Sequence, residues 1–286
     1  MRQELSILIP TYNCYCTDLV KSLHWQLGQL DVSYEIIVAD DGSPDKSFIE
    51  RNKAIEALGG VNYIICPQNM GRAAIRNFLA GQAQHEWLLF IDGDVMVEHA
   101  WFVERYLKTP GQVVMGGIQV HRRNRNWLNN LRFLYETASE EKHKASQRRK
   151  HPEKAFRTTS FLVEHDIIDE HPFDEQFRHY GYEDVLFGKH IHESGIAIQH
   201  IDNPVTLTEL EDNPTFMAKT EESLRTLHTF RKELRGYSTL LNYSFARPLL
   251  KPLYHIIGKT IRKNLAGNNP RLSLFNIYKL LYYSSL

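Results

Sequence analysis

Trp87-Leu-Leu-Phe-Ile-Asp-Gly-Asp94 is the stretch on which the reading of this chain turns. Five apolar residues, a strand's length, stop abruptly at two carboxylates separated by a glycine. Alternation along an extended chain sends Asp92 and Asp94 to the same side, and Gly93 lets a ligand come close to the backbone. Carboxylates at the end of a buried strand are costly without a counter-ion. The pair therefore suits a hard divalent cation, Mn²⁺ or Mg²⁺, held jointly with phosphate groups. Without the apolar run before it, the same triplet would read as an ordinary surface turn.

Three further strands of the same kind lie upstream. Leu5-Ser-Ile-Leu-Ile9 ends at Pro10, Ile36-Ile-Val-Ala39 ends at Asp40-Asp-Gly-Ser43, and Val61-Asn-Tyr-Ile-Ile65 follows Gly59-Gly60. Between them, helical spacing is expected from a Thr17 cap through Leu19, Val20, Leu23 and Leu27 to Gly28, through Phe48 to Leu58, and from Gly71 to Gln84. Apolar strands alternating with helices predict an α/β fold with a mainly parallel sheet covered on both faces. Ligands of such sheets bind beyond the carboxyl ends of the strands. Those ends carry Pro10-Thr11-Tyr12-Asn13, Asp40-Asp41 and Asp92-Gly93-Asp94.

Further along, residues 121–157 are polar, basic and free of glycine, and read as a helix or a mobile excursion. Phe161-Leu-Val163 and Ile196 to Ile201 are expected strands, and Val185 to Ser194 an expected helix. Asn213 is expected to cap a helix opened by Pro214, with Phe216, Leu224, Leu227 and Leu234 on its buried side.

Three more clusters bear chemistry. Asp40-Asp41 after a strand is either turn chemistry or a carboxylate accepting from a nucleobase N–H or a ribose hydroxyl. Gly71 opens a helix on which Arg72 and Arg76 lie four apart, a combination suited to a diphosphate, or else a solvent-facing pair. Tyr180-Gly-Tyr-Glu183-Asp184 offers two carboxylates flanked by aromatic rings, either a general base with a hydroxyl-binding partner or a helix start favoured by the macrodipole.

The 286 residues are 42% hydrophobic and 24% charged, which excludes disordered, collagen-like and disulfide-scaffold classes. Three cysteines with no paired spacing point to a reducing, cytoplasmic setting. No apolar run reaches the ~18 residues of a membrane span. Net charge is zero, yet residues 1–120 sum to −5, 121–157 to +7, 158–230 to −11 and 231–286 to +9. From Ser244 onward there are seven Lys and Arg, no acid, and six interleaved aromatics. That composition suits the inner face of an anionic membrane or a helical extension packed on the protein. No recognition motif accompanies it, so nucleic acid is not an expected partner.

Taken together and in this order, Ile9-Pro-Thr-Tyr-Asn13, Ile37-Val-Ala-Asp-Asp-Gly-Ser43, Asn69-Met-Gly71 with Arg76-Asn77, Phe90-Ile-Asp-Gly-Asp94, and Phe173-Asp-Glu175 with Tyr180-Gly-Tyr-Glu-Asp184 resemble the family-2 glycosyltransferases of GT-A fold. The resemblance covers about residues 5–210. It implies a GT-A domain over residues 1–212, with a donor half to residue 120 and an acceptor half after it, leaving 213–286 as a basic helical extension. It implies inverting transfer from a nucleotide-sugar donor, a UDP-sugar by preference, to a glycan or lipid-linked acceptor. Thr11 and Tyr12 would frame the base, Asp41, with Asp40 beside it, would bond uracil and ribose, and Arg76 would face the donor. Asp92 would contact the ribose, Asp94 would hold Mn²⁺ or Mg²⁺, Asp184 would be the base, and Glu183 would orient the acceptor. Many relatives place a metal-binding His just past the strand equivalent to Ile196–Ile201. Here Val205-Thr-Leu-Thr-Glu-Leu210 holds none, and Glu209 is the candidate substitute. A nucleotidyltransferase and a non-catalytic sugar-nucleotide binder are the alternatives.

Overall fold

The computed structural model describes residues 1–120 and 127–286, with no account of the side chains of residues 244–246. Residues 121–126, part of the predicted excursion, lie outside the described residues. By its contacts the chain forms two units. The first gathers residues 1–119, 142–178 and 183–209. The second gathers residues 120–141, 179–182 and 210–286.

The first unit opens with β1 (Glu4–Thr11), α1 (Thr17–Leu27), β2 (Ser33–Asp40), α2 (Lys46–Asn52), β3 (Val61–Ile65), α3 (Arg72–Gln82) and β4 (Trp87–Ile91). It continues with β5 (Val95–Met96), α4 (Phe102–Lys108), β6 (Val113–Met115) and β7 (Ile118–Val120). After α5 (Leu131–His143), most of which belongs to the second unit, and α6 (Ala145–Arg148) come β8 (Ser160–Glu164), α7 (His165–Glu170), α8 (Glu183–Glu193), β9 (Ile198–His200) and β10 (Val205–Leu207). Seven strands form one sheet in the order β3-β2-β1-β4-β8-β6-β9, and β5, β10 and β7 form a small second sheet. The first four strands run parallel, and the buried runs of β1, β2 and β4 fit a sheet covered on both faces. The strand β8 is antiparallel to both β4 and β6. Leu8, Ile37, Leu88, Phe90, Phe161 and Phe187 are fully or nearly fully buried in one cluster, with the Phe90 and Phe161 rings stacked at 4.8 Å.

One basic side chain of the predicted polar excursion is interior. Arg148 is buried and donates to the carbonyls of Met115, Gly116 and Ile201 and to Nδ1 of His200. It thereby closes the backbone gap where β6 and β9 end. Burial pushes the His200 imidazole down to about 4, so it is neutral beside that guanidinium.

The second unit holds α9 (Asn213–Thr229), α10 (Arg247–Leu253), α11 (Lys259–Leu265) and α12 (Leu272–Ser285). Its core packs Leu131, Phe216, Met217, Ile261, Leu265, Phe275, Tyr278 and Leu281. The cap of α9 is Asp212, which accepts from the Thr215 N–H at 2.8 Å, rather than Asn213. Asn213 is instead drawn inward, accepting from the Leu131 N–H and donating to the Asn129 and Gly267 carbonyls. Among the described residues, no helix is long and apolar enough to cross a membrane.

Candidate active site

Every motif at the carboxyl ends of β1, β2 and β4 falls on one rim of the first unit. The Asp41 N–H donates to the Thr11 carbonyl, and the Gly93 N–H to that of Pro10. A side chain at Gly93 has no room: a Cβ there would lie 2.6 Å from Thr11 Cγ2 and 3.1 Å from the Pro10 oxygen. The close approach that glycine was expected to permit is thus used first by the neighbouring strand end. Thr11 is buried, and Tyr12 stands out from the rim at 48% exposure. Asn13 holds a left-handed backbone at φ +49°, and its Oδ1 is buried without a hydrogen-bond partner.

Asp40 and Asp41 divide their labour. Both Asp40 oxygens are taken by Ser43, from its N–H and its hydroxyl, each at 2.7 Å. Ser43 also accepts from the Asn13 N–H. Asp40 therefore performs the turn chemistry that its sequence allowed. Asp41 accepts from the N–H groups of Met70 and Gly71, at 2.7 and 3.1 Å, and so ties β2 to the start of α3. Burial raises its pKa, and those two N–H groups counteract the rise. Gly71 itself has φ +90°, a conformation that favours glycine.

Arg72 and Arg76 are not an equivalent pair. Arg72 keeps its side chain 45% exposed, whereas Arg76 is 2% exposed. The Arg76 guanidinium donates to Asp92 at 2.6 Å and to the Arg72 carbonyl at 2.9 Å, and lies 4.0 Å from Glu183. Arg72 also comes within 4.0 Å of Glu183. Arg76 was expected to face the donor. It is instead the buried link between the end of β4 and the start of α8.

Glu183 is buried, with Oε2 lacking a hydrogen-bond partner. Asp184, half-buried next to it, accepts from the Val185 N–H at 2.8 Å. Its pKa is pushed up to about 6 by burial and then by the Glu183 charge, against the pull of Arg157 and Arg76. A carboxylate raised towards neutrality can both hold and release a proton at working pH. Arg157 is the participant that sequence reasoning missed, because nothing in the basic run 148–157 separates it from its neighbours. Asn77 was noticed only as part of a motif. Its side chain exchanges hydrogen bonds with the Phe173 backbone and donates to Glu175, joining two of the quoted segments.

Asp94 is exposed, and its carbonyl accepts from the Thr208 hydroxyl at 3.0 Å, which brings the chain just before the exposed Glu209 to the β4 end. Among the described residues, no three His, Cys, Asp or Glu side chains gather into a metal-holding group. Hard oxygen donors without a complete protein cage fit a cation that shares its shell with phosphates and water, and do not fit a closed structural site.

Comparison with known proteins identifies the fold and the family. Solved structures of similar fold include the mannosyltransferase PcManGT from Pyrobaculum calidifontis in complex with GDP-Man and Mn²⁺, with a TM-score of 0.60 at 13% identity, covering 99% of this chain and 85% of that one. They also include S. aureus TarS 1-349 in complex with UDP, with a TM-score of 0.52 at 16% identity, covering 99% and 89%. The mostly parallel sheet flanked by helices is a GT-A fold. A relative from Haemophilus influenzae, named "Uncharacterized glycosyltransferase", is 37% identical over 92 residues, which are 32% of this chain and 36% of that protein. The match thus spans about a third of that relative's length. The family model described as Glycosyl transferase family 2 matches residues 6–171, more than half of the chain. The chain belongs to glycosyl transferase family 2.

Proposed function

We propose that this chain transfers a sugar from a nucleotide-diphospho-sugar, a UDP-sugar by preference, to a hydroxyl of a glycan or lipid-linked acceptor, with inversion. The observation that carries this reading is the Arg76 guanidinium set between Asp92 and Glu183, which joins the donor-side strand ends to the carboxylate pair in one site. Tyr12 offers its exposed ring to the base, and the rim around Asp41 and Asn13 offers polar groups to the nucleoside. Asp184 takes the proton from the acceptor hydroxyl as that oxygen bonds to the anomeric carbon. The bond to the diphosphate breaks, and its electron pair leaves on the phosphate oxygen. Glu183 holds a second acceptor hydroxyl. Asp94, with Asp92 and Glu209 as the other candidate ligands, would hold Mn²⁺ or Mg²⁺. Such an ion offsets the charge on the leaving diphosphate.

A panel of UDP- and GDP-sugars with Mn²⁺, scored for nucleotide release, tests the reading. Free nucleoside diphosphate is the expected product. Pyrophosphate would mark nucleotidyl transfer, and donor binding without turnover would mark a non-catalytic binder. In the same system Asp94→Asn is expected to remove most of the Mn²⁺-dependent part of nucleoside diphosphate binding, since a neutral amide is a poor ligand for a hard cation. Titration calorimetry with and without Mn²⁺ reads this, and an unchanged metal dependence takes Asp94 out of the site.

The reading extends to the inner face of an anionic membrane as the place of action. Of the tail's aromatics, Phe275, Tyr278 and Tyr283 are buried and serve the core. Among the described residues from Arg247 onward, the apolar side chains most exposed are Leu249 at 80% and Ile256 at 75%, with Arg247, Lys251 and Lys259 close by in sequence. Leu249→Glu with Ile256→Glu should abolish flotation with phosphatidylserine liposomes while leaving the melting temperature unchanged. Equal flotation of both forms would refute the membrane assignment.

A further inference from the structure

The second unit contains a cavity of about 390 Å³, within the ~300–1,000 Å³ range of small-molecule sites, and every residue of its wall belongs to that unit. The wall joins aromatic rings, Tyr135, Tyr182 and Phe275 among them, to the hydroxyls of Ser223, Ser238 and Thr239. No hydrogen bond within the described residues uses those three hydroxyls, although each can donate one and accept two. Lys279, the wall's one charged residue, already has partners in the protein. Its ammonium lies 4.7 Å from the Phe275 ring centre and 5.3 Å from that of Tyr135. The wall therefore presents no uncommitted charge. Flat ring faces and unused hydroxyls suit the C–H faces and hydroxyls of a neutral sugar. An apolar ligand would strand the hydroxyls, and an ion would find no partner waiting for it.

A second observation comes from the backbone that shapes the cavity. Gly181 and Tyr182 are consecutive residues with positive φ, at +97° and +70°. For a bulky aromatic residue that conformation is unfavourable and persists only where the surroundings impose it. They do so here. The Tyr180 N–H donates to Glu222, and the Tyr180 carbonyl accepts from the Thr226 hydroxyl, both on α9. Gly181 lies against Ser223, where a Cβ would meet the hydroxyl oxygen at 2.5 Å. Glycine at this position thus leaves the Ser223 hydroxyl in the wall, and the strained residue after it, Tyr182, is a wall residue too. Backbone strain of this kind gathers where a ligand is held.

We infer that this cavity is a binding site for a neutral sugar ring, seated against the aromatic side chains and bonded by Ser223, Ser238 and Thr239. The site is built by the second unit alone and does not rest on the transferase reading.

Ligand-observed NMR titration of the full chain, without donor or metal, tests the site. The probes are the methyl glycosides of glucose, galactose, mannose and N-acetylglucosamine. Cyclohexanol serves as a ring of similar size with a single hydroxyl, and glucuronate as the charged counterpart. At least one glycoside should bind about tenfold or more tightly than cyclohexanol, the scale of two hydrogen bonds. Glucuronate should bind no more tightly than that glycoside. Ser223→Ala combined with Ser238→Ala should erase the advantage over cyclohexanol without lowering the melting temperature, since neither hydroxyl is bonded within the fold. Thr239→Trp, at an exposed position of the wall, should fill the cavity and weaken every bound probe about tenfold or more. No glycoside binding, equal binding of cyclohexanol, tighter binding of glucuronate, an advantage that survives the double alanine variant, or undiminished binding in Thr239→Trp overturns the inference. A wild-type chain that fails to bind UDP would overturn the transferase reading and leave the sugar result standing.

Discussion

Asp184→Asn should lower sugar transfer ~10²–10⁴-fold while nucleoside diphosphate binding stays intact, the usual worth of a positioned base. The amide keeps the shape of the carboxylate, and its Oδ1 still accepts from the Val185 N–H, so the loss reports basicity alone. The pH profile supplies the second signature. The pKa of Asp184 is raised to about 6, so the group is protonated and inactive as a base below that value. Wild-type kcat/KM should therefore rise with pH through about 6 and then level, and the residual activity of Asp184→Asn should lack that limb. Stability carries the opposite sign. A raised carboxyl pKa means that the fold disfavours the ionised form, so this group's contribution to stability declines as pH climbs from the ordinary carboxylate range through about 6. The neutral Asn escapes that decline, and the variant should melt no lower than wild type at pH 7. A simple helix-start role predicts the reverse: lower melting and normal turnover per folded molecule. Glu183→Gln should raise the acceptor KM more than it lowers kcat.

Arg76→Met should be the most destabilising change in the site. The guanidinium is nearly inaccessible, bonded to Asp92 at 2.6 Å and beside Glu183, whose Oε2 has no hydrogen-bond partner. Removing the cation strands two carboxylates, and breaking a buried pair from one side costs roughly 3–5 kcal/mol. At this chain length that corresponds to a fall in melting temperature of roughly 6–20 °C. Most of the loss should be recovered in Arg76→Met combined with Asp92→Asn and Glu183→Gln, because the stranded charges are then gone. A melting temperature within a degree or two of wild type in the single variant would show that Asp92 and Glu183 do not depend on Arg76.

What could be read from the sequence follows from how local its cause is. The strands β1 to β4 are continuous apolar runs with turn residues at their ends, and periodicity alone finds them. The rim residues follow, since topology obliges those strand ends to meet. The antiparallel place of β8 between β4 and β6 had no local signature, because its four buried residues, Ser160-Phe-Leu-Val163, read the same in either direction. The roles of like residues were equally hidden. Nothing in Arg72 and Arg76 says which is drawn inside. That is settled by Asp92 and Glu183, distant in sequence. Asp212 and Asn213 are both good caps, and the choice fell to Asp212 because Asn213 is needed by Leu131, more than 80 positions away. Arg148 counts as surface charge in any tally by segment, yet it is spent on carbonyls indoors.

The two units are woven from one chain that passes between them five times, through segments as short as His179–Tyr182. A boundary crossed once can be cut, transplanted or fused, and evolution shuffles such modules freely. A boundary crossed repeatedly permits none of this. Recombination that exchanged the last 70 or so residues for those of another enzyme would leave Leu131 and Tyr135 with no partners and Tyr180–Tyr182 with nothing to hold its turn. Diversification of this protein is therefore expected to proceed by point substitution in place, with the tail and the residues just before the carboxylate pair changing in concert. Across related chains, substitutions at Gly181, Ser223 and Thr226 are expected to travel together, a pattern that a detachable appendage would not produce.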